Sequence, residues 1–166
     1  MSHAIHRDYD AVRPGSAQSA PTRDDRAQAA IDALWSAFGH MGYSWVGIYT
    51  IDAARTSMLL ACRQPKPACS PIGLQGCCGR CWREQRPLLV HDVLTLGDGY
   101  IACDPRDRSE VVIPLFDDRG ACWGVLDVDS FDVGAFTEHD VRGLTAVVQR
   151  CGISTRPQVA RSTLQL

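Results

Sequence analysis

Apolar residues recur every three or four positions from Ala27 through Ala30, Ile31 and Leu34 to Phe38, a spacing that lines one face of an α-helix. A Thr-x-x-Asp cap (Thr22, Asp25) opens this stretch and Gly39 and Gly42 close it, so a helix is predicted from residue 22. The period then drops to two. In YSWVGIYT, residues 43–50, Val46 and Ile48 fall on one face of a strand and Trp45, Gly47 and Tyr49 on the other. Further strands are expected at 57–62 and 88–90, with a short helix near 79–86 between them. The clearest hairpin joins 110–116 to 121–129 through Asp117-Asp118-Arg119-Gly120. A second cap, Thr137 with Asp140, heads a helix carrying Val141, Leu144, Val148 and Cys151 on one stripe and ending at Gly152. This order predicts an α+β fold, a single domain whose antiparallel sheet has helices packed on one side. Residues 1–21 lack apolar periodicity and 153–166 are polar, so a disordered leader, a domain over 22–152 and a flexible tail are expected.

Composition narrows the function classes. The chain has 166 residues, 45% of them hydrophobic, enough for one domain with a sizeable core. Seventeen basic against nineteen acidic residues leave a net charge of -2, which gives no footprint for a nucleic-acid backbone or an anionic membrane. No apolar run approaches the roughly 18 to 20 residues that span a bilayer, and the N-terminus lacks a signal-peptide core. A cytoplasmic location is expected. Eight cysteines in that reducing compartment point to metal binding, redox chemistry or catalysis rather than to a disulfide framework.

Spacing argues against metal. Cys77-Cys78-Gly-Arg-Cys81 contains one half of a zinc site, but no second Cys-x-x-Cys or His pair lies at suitable distance. Cys62, Cys122 and Cys151 fall in apolar strand or helix patterns and read as buried hydrophobes. Cys69, Cys78 and Cys103 stand in loop-like contexts flanked by Gly, Pro or Asp, where a sulfur is exposed and can move. They are the redox candidates.

Asp127 and Asp129 are one residue apart on a strand and so project from the same face, with Glu110 at the start of the partner strand. Three carboxyls together raise the pKa of at least one of them, and a carboxyl kept neutral at pH 7 can act as a general acid. Trp45 and Tyr49 flank Gly47 on a strand face, two rings bordering a gap suited to a small ligand.

The segments SWVGIY, PKPACSPI, GCCG, YIACDPRDRSEVVIPLFDDRG and GVLDVDS together resemble the GAF-domain free methionine-(R)-sulfoxide reductases over about residues 23–151. The resemblance implies a GAF fold and the thiol-dependent reduction of free methionine sulfoxide, without cofactor or metal, recycled by thioredoxin. By position it makes Cys103 the nucleophile, Cys78 the principal resolving thiol and Cys69 a further redox cysteine. It places Trp45, Tyr49, Glu110, Asp127 and Asp129 around the substrate, with Glu110 or Asp129 as proton donor, and implies a homodimer. The chain departs from the family pattern in reading Cys77 where that pattern has Val, and in carrying Cys81, so these two thiols stand as alternative resolving groups. Asp104 beside Cys103 opposes thiolate formation, and the sequence identifies no compensating cation. The alternative is a non-catalytic GAF ligand or redox sensor. A sensor normally feeds an output domain, so the short leader and tail argue against that class.

Overall fold

The computed structural model describes residues 5–13, 15, 22–100 and 102–166. Its elements are α1 (Arg23–Phe38), β1 (Trp45–Ile51), β2 (Ser57–Gln64), β3 (Ile72–Gly73), α2 (Cys77–Glu84), β4 (Leu88–Val90), β5 (Ser109–Phe116), β6 (Cys122–Ser130), α3 (Glu138–Arg150) and β7 (Leu164–Gln165). Seven strands form one sheet in the order β3-β2-β1-β6-β5-β4-β7. All neighbours are antiparallel except β4 and β7, which run parallel.

The alternation read from the sequence divides the sheet into two faces. Val46, Ile48, Val111, Ile113, Leu126 and Val128 point to one side, where Ile31 and Leu34 of α1 and Leu144 and Val148 of α3 cover them. Trp45, Tyr49, Met58, Val112 and Val125 point to the other, where they meet Cys78 and Cys81 of α2. The two long helices thus share one face, as expected. The short α2 and the loops on the opposite face leave room there for a site. Both predicted caps form: Thr22 Oγ1 accepts from the Asp25 amide at 3.1 Å, and the Asp140 carboxylate accepts from the Thr137 amide at 2.7 Å. Among the described residues no helix is long and apolar enough to cross a membrane.

Both chain ends depart from expectation. Within the segment expected to be a disordered leader, Arg7, Tyr9 and Val12 are buried and Tyr9–Ala11 form a 3-10 turn. The Arg7 guanidinium donates to Asp140 at 2.8 Å and to the Met41 and Ala135 carbonyls at 2.7 and 3.1 Å. It also stands 5.1 Å from the Tyr43 and Phe136 ring centroids. Composition cannot foresee this, because an arginine reads as solvated unless its partners are known. Residues 1–4, 14 and 16–21 of that leader lie outside the described residues. The tail expected to be flexible buries Ile153 and Ser154 and adds β7 beside β4; its pattern is too short to register as a strand.

Removing one partner of a buried ion pair strands the other charge. Arg7→Met is therefore expected to lower stability by about 3–5 kcal/mol, read as a shift in the urea midpoint. An unchanged midpoint would show that the segment contributes nothing to the domain.

Candidate active site

Strand register assembles the site. In β1 and β6, Trp45 lies opposite Asp129 and Gly47 opposite Asp127; in β6 and β5, Asp129 lies opposite Glu110 and Asp127 opposite Val112. Residues directly opposite in neighbouring strands share a face, so Trp45, Asp129 and Glu110 form one row across the sheet. Gly47, Asp127 and Val112 form the next. The gap expected at Gly47 is occupied by the Trp45 indole, which lies so close over the glycine that a Cβ there would collide with the ring. The Trp45 and Tyr49 centroids are 6.0 Å apart. Each ring also fixes the loop above it, Trp45 Nε1 donating to the Lys66 carbonyl at 2.9 Å and the Tyr49 hydroxyl to the Cys69 carbonyl at 2.8 Å.

These groups line a cavity of about 120 Å³ together with Ser44, Lys66, Tyr100, Cys103, Asp104 and Asp107. Oxygens of Glu110, Asp127 and Asp129 lie within 4.8 Å of one another, an arrangement able to hold a metal ion or an ammonium, and no cysteine belongs to that group. Burial lifts the Glu110 carboxyl to about 7. Burial and then the neighbouring acids lift Asp127 and Asp129 well above the usual carboxylate range. Asp127 Oδ1 is buried and has no hydrogen-bond partner among the described residues. Such an orphan costs about 1–3 kcal/mol until something donates to it, which marks a place for a ligand N–H or O–H.

Sequence reasoning missed two lining residues. Asp107 is buried, accepts from Ser44 Oγ at 2.9 Å and is raised by its burial. Tyr100 lies beside Glu110 and favours its ionised form. Both lie in a loop without periodicity, where no pattern signals direction.

Cys103 is exposed at the cavity rim, with Cys69, also exposed, as a neighbouring thiol. Burial of its inner side, then that neighbour, push Cys103 up to about 12. Asp104 beside it is held by both Lys66 and Arg106. Arg106 forks onto its two oxygens at 3.0 and 2.8 Å, and these partners hold the carboxyl well below its usual range. The compensating cations absent from the sequence reading are thus Lys66 and Arg106.

Cys78 departs from its expected exposed loop. The sequence Gly-Cys-Cys-Gly reads as coil, yet α2 already begins at Cys77 with Gly76 as its N-cap. Cys78 is buried in the first turn, its Sγ donating to Asp127 Oδ2 at 3.4 Å, and burial raises its thiol far above the ordinary value. Half-buried Cys77 lies beside Glu110, and burial and then that carboxyl raise its thiol. A second cavity of about 30 Å³ is bordered by Cys77, Cys78 and Cys103, which brings two of the three redox candidates to one place. Cys62, Cys122 and Cys151 are buried as expected.

The GAF domain family model matches residues 20–154. The chain is 38% identical over 108 residues to GAF domain-containing protein A of Dictyostelium discoideum, a match spanning 64% of this chain and 66% of that one. It is 31% identical over 146 residues to the free methionine-R-sulfoxide reductase of Escherichia coli, covering 87% of this chain and 82% of that enzyme. The X-ray structure of free methionine-R-sulfoxide reductase from Neisseria meningitidis in complex with its substrate superposes with a TM-score of 0.76 at 32% identity, covering 90% and 93% of the two chains. Sheet order, helix placement and family match define the class, a GAF domain. Within that class the chain belongs to the free methionine-R-sulfoxide reductases, a family of oxidoreductases.

Proposed function

We propose that this chain reduces free methionine (R)-S-oxide to methionine through a sulfenic acid on Cys103 and an intramolecular disulfide. One observation carries the reading: a thiol at the rim shares one cavity, walled by Trp45 and Tyr49, with Glu110, held near neutrality, and Asp129, raised by burial well above the usual carboxylate range. A sulfoxide sulfur is electrophilic only while its oxygen is being protonated, so the reaction needs a sulfur nucleophile and a neutral acid at the same substrate.

The Cys103 thiolate attacks the sulfur while Glu110 or Asp129 protonates the oxygen. The adduct, which has a new bond from Cys103 Sγ to the substrate sulfur, collapses as the hydroxyl passes from that sulfur to Cys103 Sγ. The S–O and S–S bonds break, methionine leaves with the electron pair on its sulfur, and Cys103 becomes a sulfenic acid. A second thiol condenses with it, releasing water and forming a disulfide. Cys69 neighbours Cys103, and Cys78 borders the smaller cavity that it shares with Cys103. Either one resolves the sulfenic acid in this reading. Thioredoxin in the cytoplasm then restores the dithiol by exchange. Asp104 does not oppose the thiolate, because Lys66 and Arg106 offset its charge.

Substrate form follows from the charges. A free amino-acid sulfoxide brings an ammonium that satisfies Asp127 Oδ1 or its neighbours, whereas the same residue inside a peptide leaves them unpaired, at about 1–3 kcal/mol. Free methionine sulfoxide is expected to be reduced with kcat/KM roughly tenfold to over a hundredfold above that of N-acetyl-methionine sulfoxide amide. Steady-state kinetics with thioredoxin and both substrates decides it, and equal values would refute the reading in favour of repair of oxidised protein.

A further inference from the structure

The reaction cavity is lined by five carboxyl groups, those of Asp104, Asp107, Glu110, Asp127 and Asp129, and, among the described residues, by one cationic side chain, Lys66. A free amino-acid sulfoxide is a zwitterion, and the two ends meet very different surroundings here. The acids offer partners to the ammonium. An α-carboxylate entering the same small space is repelled by every ionised one of them unless a cation meets it.

Lys66 is placed for that. Its backbone is fixed beside the substrate wall by the hydrogen bond from Trp45 Nε1 to its carbonyl, 2.9 Å. Its ammonium pairs with Asp104, which is forked from the other side by Arg106. Two cations on one carboxylate more than offset the charge of Asp104. A lysine ammonium has three donors, and with Asp104 taking one, the remainder are available at a side chain that is 44% exposed. Holding Asp104 alone does not require Lys66, since the bidentate Arg106 contact already provides the stronger geometry.

We propose that Lys66 binds the α-carboxylate of the substrate, so that the cavity reads a free amino acid from both ends. This rests on the reductase reading above. The discriminating probe is 3-(methylsulfinyl)propan-1-amine, the same sulfoxide without the carboxylate. Thioredoxin-coupled kinetics are run for the wild-type chain and Lys66→Met with methionine sulfoxide and with this amine. Lys66→Met is expected to lower kcat/KM for methionine sulfoxide about tenfold or more, carried by KM, with Lys66→Arg recovering most of the loss. For the amine the same substitution, which removes only one of the two cations on Asp104, is expected to cost at least several-fold less than for methionine sulfoxide. Equal losses on both substrates, or a fall in kcat alone, overturn the proposal and leave Lys66 as a positioning residue for the Asp104 loop. No loss on either also overturns it. A wild-type chain that reduces neither sulfoxide refutes the reductase reading itself, a result separate from these.

Discussion

Cys103→Ser is expected to abolish turnover, by at least about a thousandfold. The hydroxyl that replaces the thiol ionises far less readily, is a poorer nucleophile toward sulfur and has no counterpart of the sulfenic acid that carries the oxygen away. Neither Cys69 nor Cys78 shares the place of Cys103 at the rim of the carboxyl-lined cavity. Cys69 is exposed outside the carboxyl row, and Cys78 is buried with its sulfur bonded to Asp127. Because Cys103 is exposed, the substitution leaves the core intact, and the circular dichroism spectrum should match the parent. Retained multiple turnover in a folded Cys103→Ser protein would show that another group attacks the sulfoxide.

Glu110→Gln is expected to act on rate and stability in opposite directions. The amide nearly matches the carboxyl in shape but cannot deliver a proton, so methionine formation should fall about 10²–10⁴-fold. Stability should rise at pH 8. Glu110 is buried and its carboxyl titrates near 7, above the unfolded value of about 4.3, so its folded form favours the proton. That contribution to stability is fully present below the unfolded value and is lost as pH climbs through about 7, where the buried carboxylate must ionise. The loss is about 3 kcal/mol, and the glutamine variant avoids it. Urea denaturation at pH 6 and pH 8 should show the wild type losing more stability over this interval than the variant. A residue kept for structure would give the reverse, a less stable variant with unchanged turnover, and that result would remove Glu110 from the mechanism.

Much of this site could be read from the chain because a strand imposes a period of two. Once β1, β5 and β6 were recognised, Trp45, Tyr49, Asp127 and Asp129 had to share faces in pairs, and the Asp117–Gly120 turn brought Glu110 toward Asp129. The helix caps at Thr22 and Thr137 were legible for a similar reason, being local hydrogen bonds. What stayed hidden was set by tertiary pairing. Arg7 is buried because Asp140 and the Met41 carbonyl await it, and nothing near residue 7 in the chain says so. Lys66 and Arg106 approach Asp104 from different loop positions, 38 and 2 residues away. Cys78 was expected in a mobile loop because Gly76 and Gly79 surround it, yet Gly79 serves instead to let α2 lie against the Leu74 backbone, where a Cβ would collide. Tyr100 and Asp107 sit in a loop whose path is fixed only by what it covers.

The central claim is that Cys103 takes the oxygen from free methionine sulfoxide and passes the oxidation to a second thiol of the same chain. A single-turnover experiment tests it most directly. Fully reduced protein, freed of external dithiol, is mixed with excess free methionine (R)-S-oxide, and methionine and remaining thiols are counted over time. One methionine per chain with the loss of two thiols, one of them Cys103, is the predicted result. Absence of methionine, or methionine formed while Cys103 stays free, would contradict it.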